Sequence, residues 1–348
     1  MEQHRKYGDF VQIAPDHVSI NLPEAAPDIY GHKSGCLKSD FYDSFLQVTP
    51  VVFNVWDPTA HQRKRKFLNP AFSARALSEF EPSMDAELSC WRRQLMDIAK
   101  SGADIDFTVW SNYLAFDVIG RFAFGKSFGF IAQGKDQYNL IATVDTRGEV
   151  LNALGTLPAH LRPWMKYVYF DPFWSAGLRA ASNLASLGRS AYFDRKNNTS
   201  PQKDLLSYLF AAKDHGDVGE QEIIAESISF IVGGSDTTSS TITHFIDFVS
   251  RDRVLQRDLQ EELDAAFPGV QELDWVPSYQ LLKDLPLLNA ALKETIVSVP
   301  TCGLMSNPTI FKDPTKFRPE RWMDTNVNEL VEHFLPFSTG NRACIGRK

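Results

Sequence analysis

Near the end of the 348-residue chain, Phe337, Gly340, Arg342, Cys344 and Gly346 fall in the spacing F-x-x-G-x-R-x-C-x-G, a set suited to presenting a cysteine thiolate to iron. An anionic sulfur must be shielded and hydrogen-bonded, so it needs a tight loop with inward-pointing amides. Gly340 and Gly346 supply the turns and let the backbone approach a flat macrocycle. Arg342 offers a guanidinium fork to a haem propionate, and Phe337 is placed to cover the sulfur. A thiolate ligand to haem iron donates electron density that weakens the O–O bond of bound dioxygen. The plainer alternative is a glycine-containing turn with a buried, inert cysteine, the ordinary fate of a lone Cys. Five fixed positions at residue frequencies near ~5% make an accidental match in this length of order ~10⁻⁴.

This spacing resembles the haem loop of the cytochrome P450 family. The resemblance implies a mainly α fold with small β-sheets, haem b as cofactor, Cys344 as the metal ligand, and NADPH reaching the site through a separate flavin reductase, NADPH-cytochrome P450 reductase. It extends to Ser229–Thr238, which carries Gly233-Gly234-Ser235-Asp236-Thr237 inside a helix expected over about 219–249. Two glycines in mid-helix cost roughly 1 kcal/mol each relative to alanine, a cost tolerated where something must come close. By resemblance Gly234 opens a groove for oxygen, while Asp236 and Thr237 deliver the protons that oxygen cleavage consumes. A flexible linker or simple kink is the alternative. His61 and Arg65, four apart on one helix face, match the family's propionate clamp, with His where Trp is common. Read alone, His61–Lys66 is a solvated basic run. In the family reading Arg63, Lys64 and Lys66 face outward as a docking patch for an acidic electron donor.

A third match is Phe317-Arg318-Pro319-Glu320-Arg321-Trp322, where the resemblance implies that Arg321 completes a buried triad with a glutamate and an arginine spaced E-x-x-R. Here Glu294 is followed by Val297, so a buried carboxylate loses one partner, and breaking a buried ion pair typically costs about 3 to 5 kcal/mol. Only 26 residues separate Glu294 from Arg321. The expectation is a single haem-thiolate domain over 1–348, incomplete at both ends and between about 300 and 307, lacking part of the usual sheet, the C-terminal helix and the membrane anchor of fungal relatives.

The elements that must position these groups are mostly helices. Residues 8–21 alternate and break at Pro15-Asp16, which predicts a hairpin. Asp57-Pro58 opens a helix as an N-cap acid followed by proline, running to about Asn69-Pro70. Further helices are expected near 75–100, 106–124, 135–155, 176–196 and 203–213. With 43% hydrophobic and 23% charged residues the chain can bury a sizeable core. Its 25 phenylalanines suit an apolar cavity and core packing equally. Cys36, Cys90, Cys302 and Cys344 show no paired spacing, so neither a disulfide framework nor a zinc site is indicated. A net charge of −7 argues against nucleic acid as a partner. No signal peptide and no run of about 18 apolar residues appears. A cytoplasmic location is expected, with endoplasmic reticulum membrane for full-length relatives. The sequons around Asn197-Asn198-Thr199-Ser200 read as a polar loop.

Lys38–Asp43 and Tyr113–Gly120 look like the fungal group that includes benzoate para-hydroxylases and secondary-metabolism enzymes. The expected function is a haem-thiolate monooxygenase inserting one atom of O2 into an apolar small molecule, by hydroxylation or epoxidation. Substrate walls are expected from Phe45–Phe53, Trp164–Trp174, Phe230 and Ile231. Two alternatives stay open: an inactive truncated paralogue or splice form that cannot retain haem, and a haem-binding sensor without turnover.

Overall fold

The structure, a computed structural model, describes residues 2–46, 48–198, 203–269, 275–298, 305, 307–324 and 327–347, with backbone alone at Val297 and Ser298. In chain order the regular elements are α1 (Glu2–Tyr7), β1 (Phe10–Ala14), β2 (His17–Ile20), α2 (Ala25–Tyr30), α3 (Pro58–Leu68), α4 (Ala74–Ser101), α5 (Phe107–Phe124), α6 (Phe130–Gln133), α7 (Leu140–Thr156), α8 (Pro172–Asn197), α9 (Leu205–Asp214), α10 (Glu220–Arg251), α11 (Arg253–Ala266), α12 (Tyr279–Leu282), α13 (Pro286–Ser298) and α14 (Val327–Glu332). Short 3₁₀ turns cover Asp40–Phe45, Asn69–Phe72, Arg162–Tyr167, Pro319–Trp322 and Gly340–Arg342. The fold is mainly α, as the sequence indicates. Among the described residues the β structure is one antiparallel hairpin, with Phe10 opposite Ile20 and an irregularity between Gln12 and Ala14.

The chain clusters into two compact units, a larger one over Leu37–Ser240 and a smaller one made of Met1–Cys36 and Thr241–Arg347, the boundary falling within α10. Capping acids set the helix starts. The side chains of Asp57, Asp106, Asp171, Asp204 and Asp252 each accept from a backbone N–H of the first turn, and Ser73 does so for α4. Asp171-Pro172 repeats the Asp57-Pro58 signal and starts α8 four residues before the expected 176. α7 starts at Leu140 rather than 135, because Asp136 folds back to accept from Tyr138 and Ile141 amides and Asn139 turns left-handed at φ 53°. α11 was not anticipated, although Asp252 caps it.

Within the larger unit α5 is the central helix, burying Tyr113, Leu114, Ala115, Phe116, Ala123 and Phe124. Its Asp117 is fully buried and accepts from the amides of Gly129, Phe130 and Ile131 at 2.8, 3.2 and 2.9 Å, fixing the turn into α6. Gly120 leaves room for that turn, since a Cβ there would lie 2.8 Å from the Lys126 carbonyl. In the smaller unit Leu255, Leu259 and Ala291 form one core with Phe245, Val249 and Phe317, while Ala290, Met305, Phe311 and Trp322 form another. Glu262 accepts from the Leu287 and Leu288 amides, both at 2.8 Å, anchoring the start of α13 and so the position of Glu294.

Candidate functional site

The cysteine loop belongs to the smaller unit. The Cys344 amide donates to the Phe337 carbonyl at 2.8 Å and closes the turn between them. Gly340 has φ 67°, and a Cβ on it would lie 2.0 Å from the Tyr30 carbonyl, so only glycine lets this turn lie against the end of α2. Asn341 holds the same contact, pairing with His32 Nδ1 at 2.9 Å and donating to the His32 carbonyl at 3.3 Å. Arg342 is half-buried, and Phe337 is 39% exposed. Cys344 is exposed and outside any disulfide, and the only atom near a Cβ built on Gly346 would be Sγ itself, at 4.0 Å. That is not the packed, inert cysteine of the plainer alternative. The donor is a soft thiol held at the mouth of a fixed turn, and it fits a haem iron ligand.

In the larger unit α10 carries the acid and alcohol. Thr237 Oγ1 donates to the Gly233 carbonyl at 3.0 Å, and Ser235 Oγ to the Ile231 carbonyl at 2.6 Å. Such back-bonding weakens and bends a helix locally. Gly233, Asp236 and Thr237 share an exposed face, whereas Phe230, Ile231 and Ser235 are buried. The two glycines differ. A Cβ on Gly233 would meet nothing within 4 Å, but on Gly234 it would lie 2.5 Å from Ile119 Cδ1 of α5. Gly234 thus seats helix on helix, and the open side of the pair is Gly233. Asp145 of α7 is an acid that sequence reasoning missed: burial first, then the charge of Asp236, raises its pKa. No local pattern links residues 145 and 236. Of the expected substrate walls, Trp164, Tyr167, Tyr169 and Phe170 are exposed, while Phe45 and Phe53 join Phe41 and Tyr42 in a cluster of edge-to-face and tilted rings.

On α3, His61 is buried and Arg65 half-buried on one side of the helix. The outward docking patch is not formed as expected. Lys64 is 6% exposed and pairs with Glu222 and, at 3.5 Å, Glu226, while Arg63 grips both oxygens of Glu222 at 2.7 and 3.0 Å and the Asp217 carbonyl at 2.7 Å. The physical reason is the period. His61, Lys64 and Leu68 form one stripe, and that stripe meets acids from the first turns of α10. Burial pushes the Glu222 carboxyl up, but Lys64 and Arg63 outweigh it and leave the pKa below its usual value. Glu226 is fully buried, accepts from the Val52 amide at 2.8 Å and keeps Oε2 without a partner, and burial lifts its pKa to about 7.

Glu294 shows how the E-x-x-R departure is met. It is fully buried. Oε2 lies 2.9 Å from Arg321 Nε and accepts from the Trp322 indole at 2.9 Å, and Oε1 accepts from the Arg318 amide at 3.0 Å. Arg321 also donates to the carbonyls of Lys312, Asp313 and Lys316 at 2.7, 3.3 and 3.2 Å. The carboxylate therefore has cationic, backbone and indole partners, although burial still raises its pKa. Val297's side chain and residues 299–304, including Cys302, lie outside the described residues.

The closed cysteine loop, the Gly-Gly-Ser-Asp-Thr-Thr stretch within the uninterrupted helix α10 and the Glu294–Arg321 pair are the features expected of a haem-thiolate protein. The chain belongs to the cytochrome P450 family, whose profile matches residues 1–296 and 293–348, and it is an enzyme of that type. It is 34% identical to a benzoate 4-monooxygenase of Aspergillus niger, over 99% of this chain and 77% of that protein. It is 27% identical to a cytochrome P450 monooxygenase of Penicillium roqueforti and 29% identical to one of Eupenicillium brefeldianum, over 99% of this chain and 73% and 74% of those proteins. Among the described residues no helix is long and apolar enough to cross a membrane.

Proposed function

We propose that this chain inserts one atom of dioxygen into an apolar organic substrate, hydroxylating or epoxidising it, with electrons from NADPH delivered by a flavin reductase. The observation that carries the proposal is the exposed Cys344 thiol on a turn closed by its own amide. When bound, haem supplies an oxygen-activating iron whose thiolate ligand promotes O–O cleavage. By the family resemblance Cys344 would hold the iron, Arg342, His61 and Arg65 would pair with propionates, and Gly340 and Gly346 would keep the backbone low around the sulfur. Thr237 holds a proton at Oγ1, and Asp236 replaces it from solvent. The benzoate 4-monooxygenase relative supports an aromatic substrate.

The test is the absorption spectrum of the haem-reconstituted chain, reduced and exposed to carbon monoxide. A strongly red-shifted Soret band that disappears in Cys344→Ala supports the enzyme. The reading of an inactive, shortened form draws on the two pieces of the family match, which meet at residues 293–296. Failure to take up haem, or an unshifted band, would favour it.

A further inference from the structure

Arg147 stands apart from the other buried and half-buried arginines. It is 7% exposed in the middle of α7, and its helical neighbours on the same face, at spacings of three and four, are Thr143, Val144, Val150 and Leu151, with Leu140 seven residues back. On that face Val150 fills the notch at Gly177 of α8, where a Cβ would lie 2.4 Å from Val150 Cγ1. Gly155 lies against Phe41 and Ser44. No carboxylate or carbonyl pairs with the Arg147 guanidinium among the described residues, and its Nε is buried without an acceptor. The contrast is consistent. Arg162 has Asp40 and the Leu157 and Gly155 carbonyls, Arg195 has Asp204, Ser207 and the Asn198 carbonyl, Arg121 has Glu87, and Arg321 has Glu294 and three carbonyls.

An arginine does not shed its proton to escape burial, so a desolvated guanidinium with no counter-charge is a standing penalty. Burial lowers its pKa to about 10, which still leaves it charged at neutral pH. The nearest acids along the helix, Asp145 and Glu149, sit two residues away on either side and so point to the opposite face. A planar five-donor fork buried among largely apolar side chains is complementary to a carboxylate carried on a hydrophobic body.

We infer that Arg147 is a specificity-determining residue that binds the carboxylate of a hydrophobic carboxylic acid substrate, the rest of that molecule lying on the apolar residues beside it. This rests on the monooxygenase reading for what happens to the acid, but not for its binding.

The test is calorimetric titration of the full chain with benzoate and cinnamate, with benzamide and cinnamamide as neutral counterparts, and with decanoate against decanamide. A carbon monoxide spectrum is taken on the same preparation. The inference expects the acid of at least one pair to bind about ten- to a hundredfold more tightly than its amide. That preference should vanish in Arg147→Gln and shrink in Arg147→Lys, with amide affinity unchanged. The aromatic and alkyl pairs separate the two kinds of acid. Arg147→Gln should melt no lower than the parent, since it removes an unpaired buried charge. Equal binding of acid and amide across all three pairs, retention of the preference in Arg147→Gln, or a lower melting temperature in that variant would each overturn it. A thiolate spectrum without acid preference sinks this inference alone, and acid preference without a thiolate spectrum sinks the monooxygenase reading alone.

Discussion

At Glu294 the missing arginine of E-x-x-R changes which groups neutralise the carboxylate, without leaving it bare. Trp322 contributes an indole N–H at 2.9 Å, Arg318 a backbone amide at 3.0 Å, and Arg321 the remaining cation. These contributions are unequal, and their order can be measured. Arg321→Ala leaves a buried carboxylate with no counter-charge and should lower stability by about 3 to 5 kcal/mol. Trp322→Phe keeps the ring packing and removes one hydrogen bond to a charged group, a loss of about 1.5 to 3 kcal/mol. Urea denaturation of the two variants reads both, and a Trp322→Phe loss as large as that of Arg321→Ala would show that the indole, not the cation, holds the site. The Glu294–Arg321 pair was legible in the sequence, since both residues announce themselves by type and spacing. Trp322's second role was not legible, because aromatic and hydrogen-bonding duties coincide in one side chain and only the tertiary contact separates them.

Between elements, the two glycines of α10 divide the work of one motif. Gly234 is needed because α5 passes so close that Ile119 occupies its side-chain position, while Gly233 opens the opposite side. Alanine at each should therefore act in opposite directions. Gly234→Ala overpacks a helix crossing and should destabilise by about 1 to 3 kcal/mol. Gly233→Ala meets no neighbour and should stabilise by up to about 1 kcal/mol through helix propensity. Thermal melts of the pair decide it, and equal loss in both would mean that Gly233 also carries a close contact. The sequence shows that a glycine pair in mid-helix marks a close approach, but not which glycine faces which neighbour, since that depends on the rotation of α10 against a helix more than a hundred residues earlier in the chain. Helix starts were readable where a cap acid precedes proline, and they slipped by several residues where Asp136 and Asn139 delay α7.

For the whole molecule, the consequence that spacing could not reveal is the ion cluster joining α3 to α10, since Lys64 and Glu226 are 162 positions apart and Glu226 and Val52 174. Sequence reasoning turns the bases at 63, 64 and 66 outward because charge runs are usually wet. The stripe through His61, Lys64 and Leu68 instead carries Lys64 inward, against carboxylates that no local period predicts. This cluster makes global stability depend on pH in a definite direction. Glu226 ordinarily titrates at 4.5, and in the fold at about 7. Below the lower value both folded and unfolded chains hold the proton, and the site contributes no pH dependence. Between the two values the folded chain keeps a proton that the unfolded chain releases, so raising the pH erodes stability; above the upper value the erosion is complete, at about 3 kcal/mol. Glu226→Gln keeps an acceptor for the Val52 amide and cannot ionise. Its unfolding free energy should therefore fall less than that of the parent between about pH 5 and 7.5. Matched slopes for the two proteins in urea titrations across that range would mean that Glu226 stays ionised in the folded chain, with Lys64 supplying enough charge to hold it so.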